Sequence, residues 1–158
     1  MRTLRGPALV AVLAGLAAAC DGAEQTRAVL EARRDEWAQQ MSELRNRAGD
    51  LERAYAALRP QLAREARAAA RLRRWRLEAS IAGSRQRLAD METNLAQSVS
   101  EVEAAIGRDG GEGREALAGL IGRMDLYIRE QDEALAANEE ALSRIGEDAL
   151  GSPPAAER

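Results

Sequence analysis

Between Pro7 and Pro153 the chain contains a single proline, Pro60, and one dense glycine run, Gly107-Arg108-Asp109-Gly110-Gly111-Glu112-Gly113. Most of the rest after residue 24 is Ala, Leu, Arg, Glu and Gln, which are strong helix formers. No stretch alternates apolar and polar residues as a strand would. A chain with so few breakers must build long helices, and the expected fold class is all-α. The punctuation predicts helix one over residues 24–58 and helix two over 61–106. A Gly-rich loop at 107–113 follows, with Gly107 as a C-terminal stop, then helix three over 114–147 and a disordered tail at 148–158.

Of 158 residues 46% are hydrophobic, but only 3% are aromatic and none is Phe. Much of the apolar content is alanine, so the helices should touch along narrow seams rather than around a thick core. Helix two carries Leu77, Ile81, Ser84, Leu88, Met91, Leu95, Ser98, Val102 and Ala105 at strict four-three spacing. Helix three carries Leu117, Ile121, Met124, Ile128, Gln131, Leu135, Asn138, Leu142 and Ile145 at the same spacing. Folding one onto the other across the glycines pairs the layers in order, from Leu77 with Leu142 to Val102 with Leu117. An elongated antiparallel coiled-coil hairpin follows. Its flanks are mixed. Arg85 beside Asp132 is favourable, whereas Glu78 beside Glu139 and Glu92 beside Asp125 repel unless a third helix separates them. Asn138 and Gln131 read either as tolerated polar core residues or as register-setting ones.

Helix one has its own stripe: Leu30, Trp37, Leu44, Leu51 and Leu58 at one position, and Arg34, Met41, Ala48, Tyr55 and Leu62 at the other. Pro60 decides where this stripe goes. Either helix one continues through a kink, or it folds back to make a three-helix bundle. Leu58-Arg59-Pro60-Gln61 offers no Gly, Asn or Ser for a turn, and residues 61–76 present mainly small alanines. The reading therefore leans to a kinked continuation. Leu30, Trp37, Met41, Leu44, Leu51, Tyr55 and Leu58 then form an open interaction seam, and self-association or a protein partner along residues 27–58 is expected.

The composition removes most chemistry. There is no His, all 23 basic residues are Arg, and Cys20 is the sole cysteine. His-based acid–base catalysis, a Cys/His zinc site and lysine Schiff-base chemistry are excluded. EF-hand spacing is absent, and helical carboxylates without a cleft make no glycosidase pair. No catalytic residue, metal ligand or small-molecule substrate is expected. Charge is uneven: residues 59–87 hold nine Arg against two Glu, while residues 88–158 hold six Arg against sixteen acids. The run Arg64, Arg67, Arg71, Arg73, Arg74, Arg76 around Trp75 has three readings. Neutralisation by Glu139, Glu140 and Glu147 comes first, anionic lipid head groups second, and nucleic acid is not expected.

Residues 1–19 have the three-part layout of an export signal: Arg2 and Arg5, an apolar run from Ala8 to Leu16, then Ala17-Ala18-Ala19. The run is too short to span a bilayer, which takes ~20 residues. Ending in Cys20, the segment resembles a bacterial lipoprotein signal, although Ala17 stands where Leu is favoured. The resemblance implies cleavage before Cys20, a covalent lipid on that residue as the only added group, and a linker at 20–23. An ordinary secretory signal would cut at the same bond. Asp21 resembles an inner-membrane retention signal, so the expected location is the periplasmic side of the cell membrane, with the outer membrane as alternative. In plan the chain is similar to small helical envelope lipoproteins. Those that attach to peptidoglycan use a lysine, which this chain lacks. The expected function is a lipid-anchored structural or protein-interaction module of the cell envelope, not an enzyme. The alternative is a soluble periplasmic chaperone-like or binding protein using the helix-one seam.

Overall fold

The computed structural model describes residues 22–62 and 68–151, which form three helices: α1 (Gly22–Leu62), α2 (Ala68–Arg108) and α3 (Gly110–Gly151). Among the described residues only Asp109 lies outside a helix. The fold is all-α. The signal segment, Cys20, Asp21, Arg64, Arg67 and residues 152–158 lie outside the described residues.

The connection between α2 and α3 is much tighter than a seven-residue loop. Asp109 donates its N–H to the Ala105 carbonyl at 3.0 Å, which closes the last turn of α2. Its own carbonyl accepts from Gly113 N–H at 2.9 Å, and its Oδ1 accepts from Gly111 N–H at 2.8 Å. Asp109 thus caps the start of α3, and the glycines predicted as loop form that helix's first turn. No glycine among the described residues has a positive φ, so Gly107 is not the expected left-handed stop. What the run supplies is closeness. A Cβ on Gly113 would fall 2.6 Å from Ile106 Cγ1 and 2.7 Å from Ile106 Cα. Val102 facing Leu117, extended one turn, brings Ile106 against Gly113, and only glycine lets the helices meet there.

Further along, Asn138 Nδ2 reaches Ser84 Oγ at 3.5 Å and Arg87 Nε donates to Gln131 Oε1 at 3.2 Å. The antiparallel hairpin keeps its predicted register to within a helical turn. The predicted tail also begins late, because α3 continues to Gly151.

Pro60 lies inside α1, two residues before its end. α1 runs through Pro60 to Leu62, and α2 lies antiparallel beside it, so the kinked continuation is not the geometry adopted. Its course is fixed by contacts on both neighbours. Ala23 lies beside Gly110, Trp37 Nε1 points to Asp125, Arg47 reaches Asp132 and Glu139, and Leu58 packs on Gly146. These place α1 parallel to α3. Arg45 pairs with Glu92, Glu52 with Arg85, and Tyr55 with Glu78, which places α1 antiparallel to α2. The result is a three-helix bundle whose length, at ~1.5 Å per residue over 41 residues, is about 60 Å.

One contiguous core runs through all three helices. Within α1 the stripe differs from strict four-three spacing at its start. Arg34 is exposed, and Arg33 turns inward instead. The inward positions step by four twice, from Arg33 to Trp37 to Met41, which shifts the face as a stutter does. In α2 Ser98 is half-buried while Val99 and Ile106 are buried; in α3 Ile121, Ile128 and Ile145 are half-buried while Leu120 is buried. Each helix serves two neighbours, so its buried face is wider than a two-stranded seam.

Candidate functional site

The predicted interaction seam is interior. Leu30, Trp37, Met41, Leu44 and Leu51 are buried, and Tyr55 and Leu58 are partly buried against the same core. Trp37 is 0% exposed. Burying side chains of this size is worth ~1.5–3 kcal/mol each, and that free energy is spent on closing the chain. The burial argument for pairing through residues 27–58 is thereby removed, since a partner there would have to open the bundle.

The acidic flanks of the hairpin explain why α1 fits. Each acid that the hairpin sets against another acid receives a donor from α1. Arg45 pairs with Glu92, and Trp37 Nε1 makes a long 3.5 Å contact to Asp125 Oδ1. Arg47 bridges the acidic side of α3, with Nε and Nη2 at 3.1 Å from the two Glu139 oxygens and Nη1 on Asp132. The Glu139 hydrogen bond, opposed by partial desolvation and aided by Asp132, holds the Arg47 guanidinium above its ordinary pKa. Tyr55 Oη donates to Glu78 at 3.4 Å. Burial first, and then the Glu78 charge, raise the Tyr55 phenol above its ordinary value.

The polar residues of the hairpin core form a connected set. Ser84 Oγ donates to the Ser80 carbonyl at 3.1 Å and accepts from Arg87 Nη2 at 3.2 Å and from Asn138 Nδ2. Arg87 also holds Gln131, and the Tyr127 hydroxyl donates to the Arg87 carbonyl at 3.2 Å. Buried polar side-chain atoms among the described residues all have a partner. The arrangement pins hairpin register.

Two shallow grooves open toward the Gly151 end. One, of about 430 Å³, lies between α1 and α3 around Leu51, Leu58, Leu142 and Gly146. The other, of about 390 Å³, lies between α2 and α3 and is rimmed by Arg73, Arg76 and Arg144 over Leu77, Ala141 and Ile145. Of the carboxylates expected near the Arg71–Arg76 stretch, Glu139 pairs with Arg47, Glu140 with Arg144, and Glu147 accepts from the Ser143 hydroxyl. Among the described residues no group of three or more His, Cys, Asp or Glu could hold a metal ion. No described helix is long and apolar enough to cross a membrane.

The two ends of the bundle are unlike. At one, the Gly22 start of α1 sits beside the α2–α3 turn, two residues beyond Cys20 in sequence. At the other, the arginine-rich start of α2 lies beside the ends of α1 and α3. The chain matches no protein-family model, no curated protein and no solved structure.

Proposed function

We propose that this chain is a lipid-anchored lipoprotein of the cell envelope, attached through Cys20, whose bundle is a rigid structural or interaction module. One observation carries the reading. The only cysteine follows Ala17-Ala18-Ala19 directly and stands two residues ahead of Gly22, where α1 begins among the described residues. An acyl group there leaves almost no slack between membrane and bundle. Stable anchoring takes more than one hydrocarbon chain at ~0.8 kcal/mol per buried methylene, which lipoproteins of this type carry. Asp21 favours retention at the inner membrane, on its periplasmic side. The role is non-catalytic, and the partner is the membrane together with a protein met along the rod or at its far end.

The filled α1 seam weighs against the alternative of a soluble chaperone-like protein, because its client groove is already occupied. Metabolic labelling with a fatty-acid analogue tests the anchor. Label is expected on the chain and lost in Cys20→Ser; label that survives Cys20→Ser refutes the proposal.

A further inference from the structure

The outer face of the first two turns of α2 is not used by the bundle. Leu72 is 47% exposed and Trp75 65% exposed, in a protein whose other tryptophan is fully buried. Lying three residues apart, they share the side of α2 that points away from buried Ala70 and Leu77. Arginines stand on both flanks. Arg73 and Arg76 lie toward α3, where they rim the groove over Ala141 and Ile145. Arg74 lies toward α1, close enough for its charge to act on Tyr55, and Arg71 is exposed beside Leu72. The first turn of α2 has no acidic residue. Arg71, Arg74 and Arg76 therefore lie near a helix start, where the macrodipole disfavours positive charge and welcomes an anion.

We propose that this face docks on an anionic phospholipid surface. The ridge is convex, so a flat, deformable surface meets Leu72 and Trp75 together, whereas a protein would need a concave acidic groove. An indole seats at the head-group level, and guanidiniums on either side reach the phosphate plane. The attraction per arginine near such a surface corresponds to about a fivefold gain in partitioning. The proposal stands on α2 alone. Joined to the Cys20 anchor, which it does not require, it sets two membrane contacts about 60 Å apart along the rod.

The test uses the chain from residue 20 onward with Cys20→Ser, which keeps the core of the described residues, from Leu30 to Leu142. It should co-sediment with mixed phosphatidylglycerol–phosphatidylcholine vesicles, not with phosphatidylcholine alone, and be released by salt. Brominated acyl chains should quench Trp75 while Trp37 stays unquenched. Arg71→Gln and Arg76→Gln should each weaken partitioning about fivefold, and Trp75→Ala should remove the quenching, all without loss of helicity by circular dichroism. Leu126→Ala, at an exposed apolar residue elsewhere, should change nothing. Equal binding to neutral vesicles, equal loss in Leu126→Ala, or no vesicle binding, with or without binding to an acidic peptide or an oligonucleotide, would each overturn the proposal. A failure to label Cys20 would leave these outcomes unaffected.

Discussion

The α2–α3 hairpin and the α1 helix use the same kind of stripe, but the hairpin is assembled by sequence neighbours and α1 by distant ones. Across the Asp109 turn the inward residues of α2 meet those of α3 in mirror order, so the pairing follows from spacing and one reversal. α1 has no such neighbour. Its cover comes from α3, lying parallel some 88 residues further on, as Trp37 with Asp125 and Leu58 with Gly146 show, and from the middle of α2. A seam that looks empty beside its adjacent segment is filled by a helix two elements away.

If the core is continuous, this difference in origin should leave no difference in stability. The largest expected effect is a buried charge on either side of it. Leu51→Asp in α1 and Leu135→Asp in α3 should each cost several kcal/mol and abolish folding in a single cooperative transition. Urea unfolding followed by circular dichroism checks this. If Leu51→Asp left a stable hairpin, α1 would be an appendage. Next come the tryptophans. Trp37→Ala should cost ~3–5 kcal/mol, whereas Trp75→Ala should stay within about 0.5 kcal/mol. Similar values for the two would mean that they share one environment.

Much of this was legible in the residues themselves. The helices, the hairpin and the order of its layers follow from breaker-poor sequence and strict spacing. The hairpin's repelling acids, Glu78 with Glu139 and Glu92 with Asp125, left room for an intervening helix, and Tyr55, Arg47, Arg45 and Trp37 fill it. Proximity hides the rest. Residues 61–76, next to α1 in sequence, are not its main cover, and Pro60, a breaker in a helix interior, stands two residues from the Leu62 end of α1. Glycine acts differently: the 107–113 run reads as loop by composition, yet its role at Gly113 is to let two helix backbones approach. Cys20 and Asp21 rest on resemblance to a signal alone and lie outside the described residues.

The turn provides the third contrast. Gly113→Ala should cost ~1–3 kcal/mol, because its Cβ meets Ile106 backbone that cannot give way. Gly107→Ala meets nothing within 4 Å and should stabilise by about 0.5–1 kcal/mol, as alanine does inside a helix. Equal, near-zero effects would restore a loose glycine loop. The smallest effect is alkaline. Because folding raises the Tyr55 pKa above its ordinary 10.0, the neutral phenol favours the fold. Its contribution is complete below that value and lost as pH rises through the folded pKa. Thermal unfolding should therefore show a decline above pH 10 that Tyr55→Phe diminishes.

One chain closes on itself around α1. Trp75→Phe leaves Trp37 as the only indole, so its emission can be read alone against added acrylamide. Sedimentation of the same sample, again from residue 20 onward with Cys20→Ser, gives the oligomeric state. The expected result is blue-shifted emission, almost no quenching and a monomer across dilution. A Trp37 that becomes quenchable on dilution, or that is shielded only in a dimer, would contradict it.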